Sequence, residues 1–430
     1  MSNGIRTREN VAGMTSNHPT LAAYRAAVRQ MKNLPESDPR NWRRQAEIHR
    51  NGCPHGNWFF LPWHRKYVLD FEEICRDLSG DPNFALPYWN WTQNRRIPAP
   101  FWRAPLLDTS RVIGSDESIP ARFVRQSVID NALNQSNFEL FASFRPQGQN
   151  NTNPSWQREV GGEALLERTP HDQVHVTIAG NMITLMSPLD PIFWLHHCNI
   201  DRLWAEWNAP PRSNPNTASA LWSNFTLSPF NTVVGTLQSI TQLGYAYDTI
   251  AQPQLAEVSE LPPLLDRARD RFELLEPQVV SLGQEVSFSV ETSESPLPLA
   301  AEARSTAGAE DGGPKVLAFV RGVEPPEDQQ VTVNVFLNCP YLTAETAVSD
   351  PHYVGNFTFF GVHEHEDEAE GEHDMKKSFA FDITDTVDRL RVLEPDLESR
   401  LTVQLMPEPL EGRDVPPQEI GIEGVEIVYI

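Results

Sequence analysis

The chain has 430 residues, room for two or three domains. Its 40% hydrophobic and 22% charged content supports a sizeable core and excludes wholesale disorder. A formal charge of −23 argues against a nucleic-acid partner. No apolar run reaches the roughly 18 residues that would span a membrane, and Met1–Asn10 lacks an apolar h-region, so no membrane partner and a cytoplasmic location are expected. Charge divides the chain: residues 301–430 hold 9 Lys+Arg and 27 Asp+Glu, a net of −18, which leaves −5 for the first 300.

In chain order, helical character appears first over Leu21–Met31. Asn41 is a cap for a helix from Trp42 through His49, stopped by Asn51-Gly52. Pro62 suits the first turn of a helix that continues through Tyr67, Phe71 and Ile74 and ends at Ser79–Pro82. Residues 92–160, rich in Pro, Asn, Ser and Arg, read as loops with short helices. Pro170 precedes a helical turn carrying His171 and His175, and Pro191 opens a helix to about Trp207.

After about residue 275 the apolar period becomes two. Glu285–Glu291, Val316–Val320, Val331–Leu337, Tyr353–Phe360, Ser378–Ile383, Leu401–Leu405 and Gly424–Ile430 read as short strands, which suggests a β-sandwich. Ser293–Pro314 reads as an exposed linker, and the acidic His363–His373 run as a solvated loop.

The four cysteines, Cys53, Cys75, Cys198 and Cys339, are too few and too scattered for a disulfide framework, and no CxxC pair is present. The histidines are more informative. Seven of twelve fall between His49 and His197. One group comprises His49, His55 and His64. The other has His171 and His175, which at i, i+4 spacing share a helix face, with the adjacent His196 and His197 to complete it. Burying six imidazoles without a purpose would cost desolvation at each, so two three-nitrogen metal sites are expected. Imidazole ligation suits zinc, copper, iron or nickel, and the lack of carboxylates disfavours magnesium, calcium and manganese. On these grounds alone a zinc hydrolase and a copper oxidase both stay open.

Phe59–Arg65 and the stretch from Asp190 through His196, His197, Asn199, Asp201 and Arg202 to Trp204 closely resemble the two copper signatures of the tyrosinase, catechol oxidase and haemocyanin family. The likeness runs through most of residues 20–250, including Leu86–Trp91 and Leu243–Tyr247. Val316–Gly322, Val331–Phe336 and Gly355–His363 resemble, more weakly, the C-terminal domain of plant polyphenol oxidases. The resemblance implies a mainly α-helical dicopper catalytic domain over 1–275, a connecting segment over 276–314 and an all-β sandwich over 315–430. It implies two copper ions, one held by His49, His55 and His64, the other by His171, His175 and His197. His196 would then be a neighbour of the ligands, since adjacent helical residues diverge by about 100°. The six-residue spacing of His49 and His55 departs from the family's usually longer loop.

Further roles follow from the same likeness. Cys53-Pro54-His55 resembles a segment that forms a Cys–His thioether in some relatives. Glu167 matches a glutamate that holds a water near copper. Asp172 stands where hydroxylating relatives often carry Asn, so that Glu167 and Asp172 could accept a phenolic proton. Thr184 aligns with the gate over the metals and is small. Phe193 would pack on a ligand ring, Phe59 stands in a similar relation to His55, and Asn199 and Asp201 would orient imidazoles or join helices. Arg65 and Arg202 read as structural partners. The implied activity is oxidation of o-diphenols to o-quinones by O2, with ortho-hydroxylation of monophenols possible and small phenols as partners. The alternative is a haemocyanin-like oxygen carrier. The C-terminal domain is expected to cover the metals and keep the enzyme latent, with a plug sought first in Asn338–Leu342.

Overall fold

The computed structural model describes residues 4–146, 153–209, 212–215, 221–250, 263–291, 314–361, 376–393 and 400–430. Most of the linker Ser293–Pro314 and the whole acidic run His363–His373 lie outside them.

The histidine motifs sit on helices that form where their signals stand. Pro19–Asn33 buries Leu21, Tyr24, Ala27, Val28 and Met31, an apolar stripe at three- and four-residue spacing. Trp42–Gly52 is capped by Asn41, whose side chain accepts from the Arg43 amide at 2.9 Å. Phe60–Ser79 ends at Gly80, which adopts φ 73°, the left-handed conformation glycine reaches without a Cβ clash. Asp172–Ile178 and Ile192–Trp207 complete the set. In the latter only Glu206 escapes burial, so the helix runs through the middle of the core. No helix among the described residues is long and apolar enough to cross a membrane.

The β-rich region holds two four-stranded sheets. In the first, Val331–Leu337 lies between Tyr353–Thr358 and Arg400–Pro409, with Val286–Glu291 on the outer side. In the second, Val316–Val323 lies between Lys377–Asp382 and Gly424–Tyr429, with Asp270–Leu274 outside. Every pairing within the two sheets is antiparallel, for example Leu405 opposite Val335 and Val425 opposite Val320. The period-two residues Val320, Val333, Val335, Val403, Leu405, Val425 and Ile427 fill the space between the sheets.

Two features go beyond the sequence reading. Asp270–Leu274, which that reading left inside the catalytic segment, is a strand of one sandwich sheet, and the expected strand Glu285–Glu291, placed within the connecting segment, pairs in the other sheet as Val286–Glu291. A helix, Thr384–Leu393, follows one strand and buries Val387 and Leu390 in the sandwich core. Its start signal is Asp382, whose carboxylate accepts the Thr384 amide at 3.1 Å.

Three of the four apolar clusters among the described residues organise the domains and their joint. One fills the helical region, and it includes Phe360 and Leu410 from the β-rich part. A second lies inside the sandwich. A third is the joint, where Leu140, Phe144 and Ala164 meet Leu264, Leu317, Phe319, Ala380, Val428 and Ile430. Backbone pairing reinforces it: the Glu163 amide donates to Ser378 and the Ala380 amide to the Glu163 carbonyl, at 2.8 and 2.9 Å.

Candidate metal centre

Two histidine clusters face each other in the helical core: His49, His55 and His64; and His171, His175, His196 and His197. Within each, the candidate ligand atoms lie within 4.8 Å of one another. The clusters share one site. The His64 and His197 rings stack at 4.4 Å, and His55 and His171 lie 5.8 Å apart. Burial holds the His49 imidazole down to about 4 and the other rings well below their ordinary value, so all are neutral and can offer lone pairs.

Which nitrogen is free follows from the partner of the other. His49 Nδ1 meets the Leu185 carbonyl at 2.7 Å, His64 Nδ1 the Phe60 carbonyl at 2.9 Å, and His175 Nδ1 the Met182 carbonyl at 2.6 Å. A carbonyl only accepts, so each Nδ1 carries the proton and each Nε2 keeps its lone pair. His171 Nδ1 meets Asp172 Oδ1 at 2.7 Å in the same sense. Nε2 of His49, His55, His64 and His171 is buried without a hydrogen-bond partner among the described residues, and Nε2 of His175 and His197 face each other at 3.4 Å. Inward-facing lone pairs left unsatisfied by protein fit metal ions.

His196 is oriented the other way. The Trp91 indole N–H, which can only donate, points at His196 Nδ1 at 3.2 Å. Neutral His196 must then carry its proton on Nε2 and has no lone pair to offer there. It nonetheless lies closer to the cluster than divergence along a helix suggests, with its ring stacked at 5.2 Å on His171. Trp91 is a residue the sequence reading had only inside a resembling segment; its role shows once the Asn90–Thr92 turn is folded against the Ile192–Trp207 helix.

The remaining expected residues separate into groups. Phe193 packs on His197 at 4.2 Å and on His49 at 5.2 Å. Phe59 does not serve His55; it stacks on Phe225 at 4.2 Å, and its neighbour Phe60 lies against His64 and His171 instead, both at 4.8 Å. Asp201 joins helices: it accepts from Arg65 at 2.5 Å, Arg8 at 3.1 Å, Tyr245 at 2.7 Å and Tyr247 at 2.6 Å. Asn199 accepts from Arg202 at 2.9 Å and meets no imidazole nitrogen among the described residues. Arg65 and Arg202 are thereby structural. Thr184 is buried, and its hydroxyl is tied into a turn through the Asn181 carbonyl and the Met186 amide.

Carboxylates collect beside His55 and His171. Glu167 accepts from the Gly56 amide at 2.9 Å and from the Ser143 hydroxyl. Burial pushes its carboxyl well up, and neighbouring Glu163 adds to the effect. Burial also lifts Asp172 to about 7, against the pull of the Lys377 ammonium. Cys53 is buried and in no disulfide, and burial raises its thiol far above the ordinary range.

The site is covered from the C-terminal region, though not by the expected loop. Asn338–Leu342 folds back on its own sheet, where Cys339 and Leu342 pack with Phe336 and Met406. The covering group is Phe360, whose ring lies 4.0 Å from His175, 5.0 Å from His55 and 5.5 Å from His171. Its neighbour Gly361 donates to the Ile183 carbonyl at 3.0 Å. Gly361 has φ 82°, and a Cβ there would lie 2.9 Å from Leu185, so only glycine lets the segment pass this close.

The comparisons with known proteins agree with this geometry. The family model for the common central domain of tyrosinase matches residues 23–168 and 108–210, and that for the chloroplastic polyphenol oxidase C-terminal domain matches 279–429. The chain belongs to the type-3 dicopper tyrosinase and polyphenol oxidase family. A tyrosinase of Hahella sp. (strain CCB-MM4) is 28% identical, with 98% of this chain and 99% of that protein covered. Chloroplastic polyphenol oxidase C of Solanum lycopersicum is 24% identical over 95% of this chain and 70% of its own length. Among solved structures, latent apple tyrosinase superposes with a TM-score of 0.68 at 21% identity, covering 99% of this chain and 97% of that one. A functional unit of octopus hemocyanin shares the fold at a TM-score of 0.55 and 19% identity, over 97% and 99%. The protein is therefore a copper oxidoreductase, and its histidine clusters fit the family's dinuclear copper.

Proposed function

We propose that this protein oxidises o-diphenols to o-quinones and is held latent by Phe360. Two diphenols together give up four electrons and four protons, and one O2 takes them to become two waters. When bound, the two copper ions supply the redox couple for that transfer. His49, His55 and His64 are the proposed ligands of one, and His171, His175 and His197 of the other.

The protein's own contribution is orientation and dryness. The Leu185, Phe60 and Met182 carbonyls and Asp172 hold four imidazoles in one tautomer and one rotation. Phe193, Phe60 and the surrounding aromatic rings exclude water. Glu167 and Asp172, raised by burial, are suited to take up a phenolic proton close to His55 and His171. Cys53 is proposed to form a thioether with His55, which would fix a ligand ring that, like His197, has no Nδ1 hydrogen-bond partner among the described residues.

The observation that carries latency is the Phe360 ring among His55, His171 and His175, where the ring of a bound phenol would need to lie. A tethered plug has a high effective concentration, so weak contacts suffice to exclude substrate. In the copper-loaded full chain, Phe360→Gly should raise oxygen uptake with methylcatechol severalfold at unchanged copper content. Wild-type protein that already turns over as fast as this variant would refute latency. A variant that binds O2 reversibly but consumes none with any catechol would favour the oxygen-carrier reading instead.

A further inference from the structure

The segment Met182–Leu185 makes three hydrogen bonds to three distant parts of the chain. The Met182 carbonyl accepts from His175 Nδ1 at 2.6 Å, the Ile183 carbonyl from the Gly361 amide at 3.0 Å, and the Leu185 carbonyl from His49 Nδ1 at 2.7 Å. His49 and His175 belong one to each histidine cluster. Gly361 belongs to the covering segment that follows the strand Tyr353–Thr358. One short stretch of backbone thus touches both candidate metal sites and the cover.

This stretch has little regular structure of its own. It runs from the 3-10 turn Gly180–Ile183 through Thr184, extended at φ −102° and ψ 168°, towards the 3-10 turn Ser187–Leu189. One end is tied down from outside: the Asn181 amide donates to the Ser110 hydroxyl at 2.8 Å, and its side chain to Asp108 at 2.7 Å. Short 3-10 turns have poorer hydrogen bonds than an α-helix, and segments held by few bonds open locally at little cost. Beyond Asn181, Gly361 supplies an outside donor, and it packs so closely that a Cβ on it would lie 2.9 Å from Leu185 Cδ2.

We infer that Met182–Leu185 is a strap through which the docked C-terminal domain positions one ligand of each metal, so that the chain binds copper more tightly with Gly361 docked than undocked. This goes beyond the oxidase reading and rests only on its assignment of His49 and His175 as ligands. The Met182 and Leu185 carbonyls keep the protons on Nδ1 and the lone pairs of Nε2 facing inward. If the strap drifts, both imidazoles are free to rotate or change tautomer, and each site loses a lone pair. Docking of Gly361 completes the ordering before the metal arrives. The coupling is reciprocal: a metal that fixes the two imidazoles also fixes the strap and tightens its hold on Gly361. Met182, Ile183 and Leu185 act through the histidines and are positioning residues.

The test measures equilibrium affinity for Cu(I), without oxygen or phenol, by competition with bicinchoninate. Access of the chelator alters the rate of such a competition but not its end point. Gly361→Pro removes the donor amide. It should weaken copper binding about fivefold or more, whereas Phe360→Ala, which removes the ring and keeps the amide, should change it by less than about twofold. A shift of that size shows under competition and does not empty a tightly bound site in plain buffer. Equal affinity of Gly361→Pro and wild type overturns the strap. Equal weakening in both variants also overturns it, since the ring and not the amide would then hold the site together. If Gly361→Pro folds poorly, wild type decides by hydrogen exchange: the Gly361 amide should exchange several times more slowly after Cu(I) loading, and an unchanged rate overturns the coupling. A wild type that takes up no copper would sink the ligand assignment itself, which equal affinities would leave standing.

Discussion

At the scale of single residues, hydrogen-bond direction distinguishes two adjacent histidines that sequence spacing alone could not. Trp91 fixes the proton of His196 on Nε2, whereas His197 Nε2 faces His175. His197→Ala should therefore lose about half of the bound copper and all oxidation, and His196→Ala should retain most of its copper by elemental analysis. Equal losses would show that both rings ligate. Trp91→Phe removes the donor and leaves His196 Nδ1 buried and unpaired, at a cost of about 1–2 kcal/mol in denaturant unfolding of the metal-free protein. The Cys53–His55 bond has its own check. Intact mass of denatured, copper-loaded protein should fall by two hydrogens and not respond to reductant, whereas a full mass with four titratable thiols would mean Cys53 is free.

At the scale of elements, the two helices that carry His64 and His197 are joined through one carboxylate. Arg65 of one helix and Arg8 of the Arg6–Arg8 strand converge on Asp201 of the other, while Arg8 also reaches Glu72 at 2.9 Å. The Arg65 guanidinium lies over the Trp204 ring at 3.6 Å. Asp201→Asn leaves buried guanidiniums short of a counter-charge and should cost about 3–5 kcal/mol in stability, read as a lower denaturant midpoint at unchanged slope. The helices, their caps and the two histidine clusters were legible because helical period, cap residues and paired imidazoles are local signals, whereas the choice of His197 over His196 came with the family resemblance. The sandwich strands were legible for the same reason. Phe360 was not. The run Tyr353–Phe360 reads as one strand, but pairing stops at Thr358. Phe357 and Phe359 stay on the sandwich face, and Phe360, next in the chain, turns to the opposite side and enters the other domain's core. Nothing in a string of three aromatics says which will cross. Lys377 was hidden likewise, since its partners Glu163 and Asp172 are more than 200 residues away in sequence.

At the scale of the whole molecule, the proposed latency makes the joint the element that governs whether the site is open. It combines the apolar cluster around Phe144 and Phe319, the Lys377–Glu163 ion pair, and Arg168, which is buried over the Phe381 ring at 4.1 Å and donates to the Asn356 carbonyl. Gln173 donates to the Asn356 side chain at 2.9 Å, so the helix that bears His175 touches the covering strand directly. Because Asp270–Leu274 and Val286–Glu291 already belong to the sandwich, a cut within 293–314 would fall inside the covering domain; limited proteolysis within 251–262, ahead of the first sandwich strand, should instead raise diphenol turnover severalfold without loss of copper. A nicked protein that stays as inactive as the intact one would mean that the covering domain holds by its contacts alone.

The apolar joint has a further consequence for the opened molecule. Phe144 and Leu317 have no exposure in the covered protein, and Leu140 and Ala164 have almost none. Separation would turn this seam into a contiguous greasy patch on both halves. The uncovered oxidase should bind hydrophobic dyes, adsorb to apolar surfaces and self-associate as its concentration rises. Activation by separation would thus carry its own clock: the form that works should also be the form that drops out of solution.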